Sequence, residues 1–119
     1  MFDDGSPIFL QLAERIRSDV LAGTYDEGDQ IPSINELAAF YRINPATANR
    51  AVALLVDQGV LVKRRGIGMF VADGAHRVLA EERRSLFPER FIQPLLAEAR
   101  SLGMDTDQLT ALIRKEAQS

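Results

Sequence analysis

The sequence predicts a mostly α-helical chain with one small β-hairpin, on three observations. Two short helix patterns follow one another between Ser33 and Gly59, the second opening on Asn44-Pro45. An apolar run, Val60-Leu61-Val62, leads into Lys63-Arg64-Arg65 and a Gly66-Ile67-Gly68 turn, after which Met69-Phe70-Val71 returns. The 45 residues from Ala75 to Ser119 then read almost wholly as helix. Helix, turn, helix and a hairpin with a cationic tip is the layout of a winged helix-turn-helix, here followed by a short α-helical tail. Asp73-Gly74 breaks the pattern and predicts a boundary, with domains over 1–74 and 75–119.

The elements justify themselves in order. Ser6-Pro7 is a helix-start signal, a hydroxyl at the N-cap and a proline at the first helical position. Ile8, Leu12, Ile16 and Val20 then recur at helical spacing, with Phe9, Leu10, Ala13 and Leu21 widening the stripe, and Gly23 closes the helix. Thr24 to Gln30 is polar and turn-rich, and Ile31-Pro32 leaves it in extended form. Ser33 with Glu36 three residues on predicts a capping box for a second helix that buries Ile34, Leu37, Ala38 and one of Phe40 or Tyr41. Arg42-Ile43 is the turn. Asn44 and Pro45 start the third helix, whose buried side is Ala48, Ala51, Val52, Leu54, Leu55 and Val56, and Gly59 ends it. Val60 to Val62 reads as a buried strand. In the tail, Pro88 predicts a kink or break, Gly103 a stop, and Asp105 with Gln108 a cap for a last helix.

Composition excludes several classes. At 119 residues, 46% hydrophobic and 26% charged, the chain reads as globular rather than disordered. It has no cysteine, which removes disulfides and zinc-thiolate sites, and the single His76 has no paired-ligand spacing. No nucleophile–base pair is legible, so an enzyme is not expected, and neither a cofactor nor a metal. Met1-Phe2-Asp3-Asp4 lacks the basic and then apolar regions of a signal peptide. No apolar run approaches the roughly 18 residues that cross a bilayer, so a cytoplasmic protein without membrane contact is expected.

The net charge of −3 argues mildly against a polyanionic partner, but the charge is segregated. From Arg42 to Arg65 five cations (Arg42, Arg50, Lys63, Arg64, Arg65) face one acid, Asp57, a local balance of +4. Ala46, Thr47, Asn49 and Arg50 crowd the first turns of the third helix without an evident core duty. Asparagine can pair with adenine, Ala or Thr can touch a thymine methyl, and Arg can pair with guanine or grip phosphate. Ser33 can offer its hydroxyl and nearby helix amides to a phosphate. At the hairpin tip, Gly66 and Gly68 admit a close backbone approach beside the cations. Duplex DNA is the partner these residues point to.

The tail carries seven cations and seven acids. Its apolar stripe includes Leu79, Leu86, Phe87, Phe91, Ile92, Leu95, Leu96 and Leu102, continued by Leu109, Leu112 and Ile113. So few helices cannot enclose a core of their own, so these residues are expected to meet a second copy of the chain.

Taken together, PIFLQLAERIRSDVLAG, GDQIPSINELA and TANRAVALLVDQGVLVKRRGIGMFV resemble the GntR family of bacterial transcription regulators over Pro7 to Val71. Arg64, Gly66, Gly68, Phe70 and Val71 match its wing pattern. Asn44-Pro45-x-Thr47-x-x-Arg50-Ala51 with a two-helix tail is similar to the YtrA subfamily. The resemblance implies a homodimer on an inverted-repeat operator, usually repressing, with the recognition helix in the major groove and the wing tip in the minor groove. Its contact set maps to Ser33, Asn44, Ala46, Thr47, Asn49, Arg50, Arg65 and Gly66; Asn35, Lys63, Arg64 and Gly68 complete the expected DNA-binding residues. The family commonly has arginine where Asn35 stands and a basic residue where Pro45 and Ala46 stand. Weaker affinity, or an operator richer in A·T, is therefore expected. A small-molecule effector in a cleft at the dimer interface and no effector at all are both compatible with the tail. The competing reading is a winged-helix protein-interaction module without specific DNA binding.

Overall fold

The computed structural model describes residue 2 and residues 5–119. Met1, Asp3 and Asp4, part of the stretch read above for a targeting signal, lie outside the described residues. The chain forms two compact units, Met1–Glu81 and Glu82–Ser119.

The first unit holds α1 (Ile8–Leu21), α2 (Ile34–Tyr41), α3 (Pro45–Asp57), the hairpin β1 (Leu61–Arg64) and β2 (Gly68–Val71), and the first turns of α4 (Ala75–Phe87). α3 packs against both α1 and α2. Ala48 and Ala51 are wholly buried on its inner side, and side chains this small allow close helix approach. Leu12, Leu55 and Leu61 are fully buried around them, each worth about 1.5–3 kcal/mol of transfer free energy. The caps explain where the helices stop. After α1, the Thr24 amide donates to the Asp19 carbonyl (2.8 Å) and Gly23 to Val20 (3.2 Å), with Gly23 at φ +86°. After α3, Val60 donates to Leu55 (2.9 Å) and Gly59 to Val56 (3.0 Å). Both are paired C-terminal closures that need a left-handed residue, which glycine supplies without strain.

Several expectations change. Ser6 is not the N-cap of α1: Pro7 occupies that position without a side-chain cap, and the Ser6 carbonyl instead accepts from Gln11 Nε2 (2.7 Å). Phe40 is 68% exposed, and it is Tyr41 that packs partly against the core. The buried run at the hairpin is Val60-Leu61; Val62 is exposed, because alternation along β1 sends it to the opposite face from Leu61. Paired residues run Leu61–Val71, Val62–Phe70, Lys63–Met69 and Arg64–Gly68. The other edge of β2 is covered by the chain before α2. There the Gly28 and Ile31 amides donate to the Val71 and Met69 carbonyls, and the Val71 amide to that of Asp29 (each 2.9 Å).

The start of α4 is tied down inside the first unit. Ala75 and Leu79 join its core. The Glu27 carboxylate accepts from the amides of Gly74 (2.6 Å) and His76 (3.3 Å), and His76 Nε2 lies 3.0 Å from the Leu21 carbonyl. A carboxylate at a helix N-terminus meets the positive end of the dipole.

The second unit contains the end of α4, a π-helical turn Pro88–Ile92, α5 (Gln93–Ser101) and α6 (Thr106–Ala117). The break expected at Pro88 takes the form of that wider turn, which lets a residue without an N–H sit in a helical run. Gly103 closes α5, with Met104 donating to Ala99 (2.9 Å). Asp105 and Gln108 form a reciprocal capping box, both bonds 2.8 Å.

Candidate nucleic-acid interface

Ser33 caps α2 with both halves of the box in place. Its hydroxyl oxygen accepts from the Glu36 amide (3.1 Å), and Glu36 Oε1 accepts from the Ser33 amide (3.0 Å). The bond from the Ser33 backbone, then that from its side chain, holds the Glu36 carboxyl below its ordinary range. Glu36 is thus an anion at a surface otherwise suited to phosphate. Asn35 is exposed beside it.

On α3, Asn44 Oδ1 accepts from the Ala46 amide (2.8 Å), so this side chain serves as N-cap and keeps its Nδ2 donors. Pro45 follows at the first helical position. Ala46, Asn49 and Arg50 are exposed and Thr47 is half-buried. Their spacing puts Ala46, Asn49, Arg50 and Ala53 on the face opposite Ala48, Ala51, Val52 and Leu55. The outermost residues of that face are alanines, so a groove could approach the helix closely. Arg50 does not extend freely: its guanidinium lies over the Phe9 ring of α1, 3.8 Å from the centroid.

The hairpin tip is Arg65-Gly66-Ile67, closed by an Ile67 amide to Arg64 carbonyl bond (2.9 Å). Of the three adjacent cations only Arg65 stands at the tip. Lys63 and Arg64 are strand residues on alternate faces, and Arg64 stacks over Phe70 of β2 at 4.6 Å. Gly68 is the first residue of β2 rather than part of the turn. At φ +143° it has a conformation that L side chains rarely adopt, and a Cβ there would collide with the Gln30 amide. Gln30 Nε2 fills that space and donates to the Ile67 carbonyl (2.9 Å).

Ser33, Asn35, Lys63, Arg64, Gly66 and Gly68 thus border one open cleft of ≈ 410 Å³ between the start of α2 and the wing. Asn44, the N-cap of α3, and Ala46, Thr47, Asn49 and Arg50 within it lie outside that cleft. Two residues with a part in the geometry were not expected from sequence. Gln30 sits in a stretch that reads only as polar turn, and Phe9 reads only as part of a core stripe.

In the tail, Leu79 is buried in the core of the first unit and has no surface to offer a partner, which corrects its expected place at an interface. Leu109 is also buried. Phe87, Phe91, Leu95, Leu102, Leu112 and Ile113 are exposed, with Phe87 and Phe91 in ring contact at 5.3 Å; Leu86, Ile92 and Leu96 are half-buried. Among the described residues, no group of three or more His, Asp and Glu could hold a metal ion, and no helix is long and apolar enough to cross a membrane.

The family model of bacterial regulatory proteins of the gntR family matches residues 9–71. The HTH-type transcriptional repressor YtrA of Bacillus subtilis is 28% identical over 110 residues, spanning 92% of this chain and 84% of that protein. The solved structure of a transcriptional regulator from Oenococcus oeni aligns with a TM-score of 0.80 at 25% identity, over 98% of this chain and 96% of that one. The DNA-binding domain of AraR, solved in complex with operator ORX1, aligns with a TM-score of 0.58 at 31% identity, over 60% of this chain and 93% of that one.

Proposed function

The chain belongs to the gntR family of bacterial regulatory proteins, on its YtrA-like branch, and from that premise we propose that it is a cytoplasmic transcription repressor that binds an inverted-repeat operator as a homodimer. The observation that carries the reading is the joint placement, in one rigidly cored unit, of an exposed α3 face and a cationic wing beside a capped helix N-terminus. In this reading α3 enters the major groove, where Asn49 and Thr47 or Ala46 meet base edges. Ser33 donates to a phosphate, and Lys63, Arg64 and Arg65 supply most of the electrostatic attraction along the backbone. The AraR domain solved with its operator supports operator DNA as the partner. The reader in this reading is the first unit, through Glu81, and the residues after it join two copies.

Selection of bound sequences from random duplexes tests it. The expected result is two half-sites in inverted repeat, rich in A·T at the positions facing α3, since that face presents the uncharged Ala46 and Asn49. Log K is expected to fall with log salt at about 0.9 per neutralised phosphate. No enriched sequence, with no specific binding at any salt, would establish the protein-interaction module instead. G·C-rich half-sites read through α3 would contradict the assignment of its contacts.

A further inference from the structure

We propose that Phe9 is the positioning residue for Arg50, and that the stacked pair is a phosphate clamp at the edge of the groove rather than a reader of bases. The inference rests on the DNA-binding reading above and deepens it. Arg50 lies on the exposed side of α3, but its guanidinium is drawn sideways onto α1, 3.8 Å from the centre of the Phe9 ring. A base-reading arginine extends away from its helix axis to reach the groove floor and presents a two-donor fork there. Stacking of the flat guanidinium on an aromatic face uses its π surface and leaves its N–H edges outward and in a fixed orientation. That orientation lies on the α1 side of α3, at the flank of the recognition helix, where the phosphates bordering a major groove pass.

Phe9 is suited to the role. It is half-buried and packed against the core, so its own position is set by the fold while its outer face remains for the cation. Arg50 is exposed and, through this contact, loses part of its rotamer freedom before DNA arrives. The direct reading of bases then falls to Ala46, Thr47 and Asn49, whose uncharged side chains fit an A·T-rich half-site.

The test uses the full chain and the duplex selected by the wild type; a wild type that selects nothing overturns the DNA-binding reading itself, a different result from those below. Arg50→Ala is expected to bind roughly tenfold more weakly, to lower the slope of log K against log salt by about 1 per subunit, and to select the same sequence. Phe9→Leu is expected to weaken binding roughly threefold with the sequence unchanged, Phe9→Tyr to restore it, and Phe9→Leu to have no effect in an Arg50→Ala background. Arg50→Lys keeps the charge but has no plane to stack, leaves α1 untouched, and is expected to bind as weakly as Phe9→Leu. A changed base preference in Arg50→Ala would make Arg50 a base reader and overturn the clamp. Wild-type affinity in Arg50→Lys, or equal effects of Phe9→Leu in both backgrounds, would overturn the positioning role.

Discussion

Glu36 does two opposed things. Its carboxylate completes the α2 cap, and in the proposed complex its charge would repel the phosphate that the same helix start would attract. Glutamine can make the same bond to the Ser33 amide without the charge. Glu36→Gln should therefore keep α2 intact and raise DNA affinity by up to about fivefold, the scale of an exposed charge interaction. Because the cap holds the Glu36 carboxyl below its ordinary value of 4.5, its contribution to stability is complete above that pH and lost as pH falls through the lowered value. Thermal midpoints measured across the acid range should fall less steeply in Glu36→Gln than in the wild type. At the wing, Gly68→Ala must take an unfavourable φ and displace the Gln30 amide, costing about 1–3 kcal/mol in denaturant unfolding. With Gln30→Ala already present, only the backbone part of that cost remains. The double variant should therefore be more stable than the sum of its single effects. The Ser33–Glu36 cap was legible because a local, reciprocal motif writes both partners three residues apart. The Gln30–Gly68 contact was not, because its partners are 38 residues apart and glycine serves many turns equally well.

At the scale of the elements, local chemistry again decided what could be read. Asn44-Pro45, Gly23, Gly59, Gly103 and Asp105-Gln108 all mark helix ends that the structure shows. Ser6 fails because the chain enters α1 through an extended Pro7 whose side chain cannot cap. The hairpin was legible as a hairpin but not in register. Three consecutive cations look like one cluster in sequence, whereas pleating divides Lys63 from Arg64 and leaves Arg65 alone at the tip. The turn between α2 and α3 holds the one non-glycine residue with positive φ among those described, Arg42 at +56°. A side chain in this region costs about 1–2 kcal/mol. Glycine would remove that cost while adding about 0.5–1 kcal/mol of unfolded-state entropy. Arg42→Gly is thus expected to stabilise the chain by about 0.5–1 kcal/mol, read as a higher denaturation midpoint with unchanged m-value.

At the scale of the whole molecule, the exposed apolar residues of the second unit are the unresolved requirement. Residues 82–119 are too few to build a core that buries Phe87, Phe91, Leu95, Leu102, Leu112 and Ile113, and these remain at the surface. A second copy would cover them and would also place two readers on one operator. Phe91→Asp with Leu95→Asp puts two charges on that surface and leaves every residue of the first unit unchanged. The pair should yield monomers in sedimentation and reduce operator affinity by about 10²–10⁴, the gain expected from linking two half-site interactions. Affinity for a single half-site should be unchanged. Truncation gives a complementary measurement, provided the cut respects the core. Ending at Gly74 would remove Ala75 and Leu79, which are buried in the first unit, so that fragment should be destabilised for reasons unrelated to assembly. Ending at Glu81 retains both and should give a folded monomer that binds one half-site as weakly as the double aspartate variant. A Glu81 fragment that sediments as a dimer, or full-length aspartate variants that remain dimeric, would place the interface elsewhere than on the C-terminal helices.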